Sequence, residues 1–326
     1  MGFAYLAAWV FCRGTNRTVM TPSPRERPRR PRELQDSLNY YIYHPLAWRL
    51  AQALAPTPIT PNMVSGLGAL FVVAAGVVYW RAPVWGLVWP WGPLLGMALH
   101  MTWHVVDGAD GDLARLTGRS SPLGELIDGI CDYASHVVLY CLLVVVLAPG
   151  LGWGWAWFCA LAAGASHVAQ ANFVEVQRRF YQYWTYGVPW LNNATQTDGA
   201  LFADQRGVSW LLRGLVRGYL RLASGMSPHA LTIDRAVTAA LATDRAGDGT
   251  ALAQIRAEVQ REQRPLLAML WYLSPNPRAL TLGLAMLAGS PLWYFAYQTL
   301  VLNTLLVLAV RREDAAAVRV VQRLGL

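Results

Sequence analysis

The stretch that decides the fold is HVVDGADGDLARLTGRSSPLGELIDGICDY, residues 104–133. It joins two apolar runs, about Val84 to Val106 and Ile130 to Leu147. Each run is near the roughly 20 residues that a helix needs to cross hydrocarbon. Asp107 and Asp110 are three apart and Asp128 and Asp132 four apart, so each pair falls on one helix face. The connection from Ala114 to Gly124 is short enough for antiparallel neighbours to bring the two faces together. Charge is costly inside a bilayer, so carboxylates at the mouth of two apolar helices mark the informative place on the chain.

Outward from this segment the same apolar character continues. Asn62 to Trp80 and Trp153 to Val174 are two further spans, and Ala279 to Val310, broken at Gly289, Ser290 and Pro291, is read as two more. The start of the fifth span is poorly marked, because Leu266 to Leu273 is also apolar. Across all 326 residues, 55% are hydrophobic and 14% charged, which excludes a disordered, collagenous or ordinary cytosolic protein. Tyr and Trp outnumber Phe, as rings that favour the headgroup region do. The expected fold is all-α: a polytopic bundle of six transmembrane helices preceded by an interfacial amphipathic helix. Cys12, Cys131, Cys141 and Cys159 form no CxxC pair and read as small buried hydrophobes.

Charge sets the orientation. The 27 basic residues are all arginine, and the formal net charge is +8. Eight arginines precede the first span, two (Arg115 and Arg119) lie in the second loop, 11 in the fourth, and four follow the sixth. The first loop holds only Arg81, and Arg278 sits at the start of span five. Positive charge collects on the cytoplasmic side, so both termini and the acidic loop are expected there. The surplus suits anionic lipid; no nucleic acid is expected as a partner.

The expected organisation follows. Residues 1–32 form an N-terminal segment ending in the basic tail TPSPRERPRRPR, and 33–60 an interfacial helix carrying Tyr40, Tyr41, Tyr43, Leu46 and Trp48. Spans one to four occupy 61–176. Residues 177–264 are a cytoplasmic or interfacial insertion, with Arg213, Arg217 and Arg221 at helical spacing among leucines. Spans five and six occupy 265–310, and 311–326 is a cytoplasmic tail.

Four carboxylates at one membrane surface, with only Arg115 and Arg119 nearby, repel one another unless cations intervene. An all-oxygen donor set suits Mg, Mn or Ca rather than zinc. Two such ions suit a diphosphate, because they stabilise both the attacking and the leaving oxygen of a displacement. Gly108, Gly111, Ala114 and Gly124 lack bulk, which lets a nucleotide or another helix approach the backbone.

Asp107, Asp110, Gly111, Ala114, Arg115, Gly124, Asp128 and Asp132 match the pattern D-x2-D-G-x2-A-R-x8-G-x3-D-x3-D, and the segment resembles the CDP-alcohol phosphatidyltransferase family. PNMVS at Pro61 to Ser65 is similar to the opening of that family's first span. The resemblance implies that Asp107, Asp110, Asp128 and Asp132 hold two Mg2+ or Mn2+ ions and that Asp132 is the general base. It implies that Gly111, Ala114, Arg115 and Gly124 contact the CDP group. It further implies a CDP-linked donor, an alcohol acceptor, one of the two being a lipid, membrane lipids as surroundings, and a homodimer. The expected activity is phosphotransfer in phospholipid biosynthesis with release of CMP. SSPLGELIDGICD, residues 120–132, resembles the choline and ethanolamine phosphotransferase branch, which pairs a CDP-linked head group with diacylglycerol. Gly129 and Asp112 depart from that branch, where histidine and lysine are usual, so the opposite polarity, CDP-diacylglycerol with a polar alcohol, stays open. A divalent cation transporter and an inactive scaffold are the rivals from other classes. A membrane prenyltransferase is a rival enzyme that lacks the Ala114-Arg115 element. His104 is a candidate partner of the acidic site, whereas His100, His136 and His167 are expected to make interhelical hydrogen bonds, and Asp112 and Glu125 to face the loop.

Overall fold

The computed structural model describes residues 31–120, 122–188, 222, 225–244 and 249–326. The expected N-terminal segment up to residue 30 and the helix of Arg213, Arg217 and Arg221 lie outside them. Among the described residues the regular structure is helical, with no strand. The chain divides into two compact units. Described residues of the first fall within 31–167 and 274–302; those of the second fall within 168–273 and 303–326.

In the first unit a π-turn over Asn39–Tyr43 leads into α1 (His44–Leu54). Then come α2 (Pro61–Arg81), α3 (Trp91–Leu116), α4 (Pro122–Leu151) and the start of α5 (Trp153–Tyr186). Thr60 begins α2: its backbone is extended and its hydroxyl accepts from the Met63 amide, ahead of a proline at the first helical position. The second expected span begins later than the apolar run suggests. Between Arg81 and Trp91, Pro83, Gly86 (φ +71) and Pro90 break the helix, so α3 starts at Trp91 and carries on through the acids to Leu116.

Helix α2 packs against both α3 and α4, and α1 lies against α3. Small residues permit the approach. A Cβ at Gly76 would come 2.8 Å from the Leu142 side chain, and one at Gly96 would come 2.4 Å from the Tyr79 ring. The main core joins Val72, Ala75, Tyr79 and Trp103 to Leu139, Leu143, Leu147 and Ala160. A second core seats Ala47 and Ala51 of α1 on Val64, Val106, Ala109 and Leu113. Tyr40, Tyr41, Ile42 and Leu46 remain exposed on the other side of the N-terminal segment. Asp36 ties that segment down by accepting from the Asn276 amide nitrogen at 2.9 Å. Burial, then the charge of Asp36, pushes the Tyr43 phenol up to about 12, and it stays a donor to Met101 Sδ at 3.4 Å.

Among the described residues three helices are long and apolar enough to cross a membrane: Pro61–Arg81, Ile127–Leu151 and Leu292–Leu324. The other expected spans fall on α3, on α5 and on a helix over Pro275–Leu287. This last one does not draw on Leu266 to Leu273. Leu267–Tyr272 is a separate short helix, because the proline after Ser274 forces that residue into extended backbone, with ψ 169. The 13 residues of Pro275–Leu287 reach only about 20 Å at a helical rise of ~1.5 Å per residue.

In the second unit a helix over Ala230–Asp244 meets the end of α5: Trp184 Nε1 donates to buried Asp234 at 3.0 Å. The helix over Thr250–Gln263 is amphipathic, burying Leu252, Ile255 and Val259. Its Glu258 and Glu262 accept from Arg319 and Arg323 of the terminal helix Leu302–Leu324.

Candidate metal and nucleotide site

Each half of the acidic motif is rigid because it is helical. Asp107 and Asp110 project from the last three turns of α3, and Asp128 and Asp132 from successive turns of α4. The antiparallel pairing that the short connection suggested brings one carboxylate oxygen each of Asp107, Asp128 and Asp132 within 4.8 Å of one another. Asp110 is the most buried of the four and stands slightly apart, adjoining Asp128 and accepting from the Ser65 hydroxyl at 2.5 Å. Among the described residues no arginine or histidine forms an ion pair with any of the four. Three half-buried carboxylates this close, all oxygen donors and lacking a basic partner, fit a hard divalent cation.

The remaining motif residues lie along the same two helices. A Cβ at Gly111 would meet the Arg115 guanidinium at 3.4 Å, and Ala114 is half-buried in the last turn of α3. Gly124 is half-buried in the first turn of α4. Arg115 is half-exposed and donates to Asp112 Oδ1 at 2.6 Å. Asp112 therefore does not face the loop freely: it is buried with Arg115 as its partner. Cys131, Cys141 and Cys159 are free thiols, as expected, but they are half-buried rather than buried.

Two supporting residues escaped the sequence reading. Ser65 belongs to the PNMVS segment but gave no sign that its hydroxyl would meet Asp110. Trp103, buried one turn before Asp107, donates its Nε1–H to Asp132 Oδ1 at 3.1 Å. The i, i+4 relation of Trp103 to Asp107 was the available signal. Among the histidines, His136 Nδ1 donates to the Asp132 carbonyl at 2.8 Å, one turn back in the same helix, so this bond lies within α4 and is not the expected interhelical one. His100 makes no hydrogen bond with either ring nitrogen, so the expected interhelical bond is absent there too. Its ring packs beside Trp103, His104 and His136 instead.

Comparison with known proteins places this geometry. Residues 58–190 match the family model described as CDP-alcohol phosphatidyltransferase. Over 108 residues the chain is 33% identical to ethanolaminephosphotransferase 1 of Pongo abelii and of Homo sapiens, covering 31% of this chain and 27% of theirs. Over 94 residues it is 33% identical to choline/ethanolaminephosphotransferase 1 of Arabidopsis thaliana, covering 28% of this chain and 24% of that one. The match thus spans about a quarter of the length of these curated relatives. The family-model match contains α2 to α4 and all four aspartates, and over those residues the chain is similar to CDP-alcohol phosphatidyltransferases.

Proposed function

We propose that the protein is a membrane CDP-alcohol phosphotransferase of phospholipid biosynthesis that moves a substituted phosphate from a CDP-linked donor to an alcohol, releasing CMP. The observation that carries this reading is the convergence of Asp107, Asp128 and Asp132 within 4.8 Å, at the end of apolar helices and with no basic partner among the described residues. Asp107, Asp110, Asp128 and Asp132 would hold two Mg2+ or Mn2+ ions. When bound, such ions supply charge neutralisation at the diphosphate and at the leaving oxygen.

The chain's own residues do the rest. Gly111, Ala114 and Gly124 leave room beside the backbone for the cytidine end of the donor, and Arg115 offers a positive charge at the helix terminus. Asp132 takes the proton of the acceptor hydroxyl. The new bond forms between that oxygen and the phosphorus distal to cytidine, the bond from this phosphorus to the bridging oxygen breaks, and CMP departs. Asp132 suits the base role because of the four it alone accepts an indole N–H, which orients its carboxylate.

The named relatives favour a CDP-linked amino-alcohol as donor and a lipid alcohol as acceptor. The reverse polarity draws support from buried Gly129, which stands where the choline and ethanolamine branch usually carries histidine. Six spans, cytoplasmic termini and a two-copy assembly complete the reading, supported by arginine placement and family resemblance. The test is CMP release by purified protein in lipid vesicles, with Mg2+ or Mn2+, from labelled CDP-ethanolamine, CDP-choline or CDP-diacylglycerol against a panel of alcohols. Release from one donor is expected; release from none by folded protein overturns the reading.

A further inference from the structure

A carboxylate acting as a base must hold its open oxygen within about 3 Å of the hydroxyl it serves, in a site where displacement by ~1 Å costs roughly 100-fold. Asp132 faces two neighbouring carboxylates, and no arginine or histidine among the described residues forms an ion pair with it. Besides a side-chain hydrogen bond with Asp107, two contacts restrain it. His136 Nδ1 donates to its carbonyl at 2.8 Å, and Trp103 Nε1 donates to its Oδ1 at 3.1 Å. Trp103 comes from α3 and Asp132 from α4, so this bond ties together the two helices that carry the site.

The indole is itself immobilised. It is 6% exposed, its ring centre lies 4.5 Å from that of His104 and 4.6 Å from that of His136, and the His136 contact is edge-on. Tyr43 stacks on His104 at 5.0 Å, extending the brace to the N-terminal segment. An indole N–H only donates and does not titrate in the working range, so it orients an acceptor without competing for the substrate's proton.

We propose that Trp103 is a positioning residue for the reaction: its indole N–H fixes the Asp132 carboxylate so that the second oxygen faces the acceptor hydroxyl. This rests on the reading of Asp132 as the base. The decisive pair of variants is Trp103→Phe and replacement of Trp103 by 3-benzothienylalanine, which keeps the bicyclic ring and exchanges N–H for sulfur. Steady-state CMP release and Mn2+ binding would be measured on full-length protein in vesicles.

Both variants should lower kcat about 10- to 100-fold, with KM for the CDP donor and the Mn2+ affinity within about threefold of wild type. Adding Asp132→Asn to Trp103→Phe should cost no more than Asp132→Asn alone. A benzothienylalanine protein with wild-type kcat overturns the inference, since the ring alone would then suffice. A fall in Mn2+ affinity parallel to kcat also overturns it, because Trp103 would then serve metal ligation by Asp132 rather than its role as base. Absence of CMP release from wild type is a separate outcome that sinks the underlying reading of the activity.

Discussion

Removing one negative charge from the acidic cluster should stabilise the metal-free protein while it abolishes the response to metal. The carboxylate oxygens of Asp107, Asp128 and Asp132 lie within 4.8 Å of one another, so each ionised pair repels by at least about 3.5 kcal/mol at an effective dielectric constant of ~20. Asp107 takes part in two such pairs. Proton uptake by the cluster relieves part of this, and about 1–3 kcal/mol is the gain expected for Asp107→Asn without divalent ions, the shape of the side chain being kept. Wild type should instead gain about 2.7 kcal/mol from Mn2+ at a hundredfold excess over its dissociation constant, roughly 5 °C in thermal midpoint. The assay is thermal unfolding in detergent, with chelator and then across a Mn2+ titration. Asp107→Asn should start higher and move little. A variant that starts lower than wild type and retains the full Mn2+ shift would refute both the repulsion and the site.

Four further outcomes are expected. Asp132→Asn should abolish CMP release while nucleotide binding, measured by calorimetry, stays largely intact; equal loss of binding would assign it to metal ligation alone. Ser65→Ala removes the hydroxyl bonded to Asp110 and should weaken Mn2+ affinity by roughly 10-fold, read by electron paramagnetic resonance titration. Gly96→Val forces a Cβ 2.4 Å from the Tyr79 ring and should cost about 1–3 kcal/mol of thermal stability, recovered in part by Tyr79→Leu. The hydrogen bond from Arg319, joined by that from Arg323, holds the Glu262 carboxyl below its ordinary value of 4.5. The stabilisation these pairs give is therefore complete above that value and lost as pH falls through the depressed one. Hydrogen exchange in Thr250–Gln263 should rise below pH 4 in wild type, and Glu262→Gln should flatten that dependence.

How much was legible differs from element to element. The first span was readable almost to the residue, since Thr60-Pro61 is a helix start in its own right and the following run is uniformly apolar. The start of α3 was not, because Trp85 to Trp89 is as apolar as a helix while Pro83, Gly86 and Pro90 hold it in turns. Apolarity reports solvent preference and says little about backbone angles. Asp112 shows the converse: from its position it reads as a loop residue, and only the Arg115 contact makes its burial tolerable.

Sequence by itself determined the helical class, the identity of the acids and their pairing within each helix, because a 3.6-residue period converts spacing directly into a shared face. Tertiary structure decided which oxygens of the two helices meet, that Asp110 stands apart on Ser65, and that Trp103 reaches Asp132 across 29 residues of chain. Such contacts depend on helix separation and rotation. Those are set by small residues such as Gly76 and Gly96 packing against side chains distant in sequence, which no local spacing encodes.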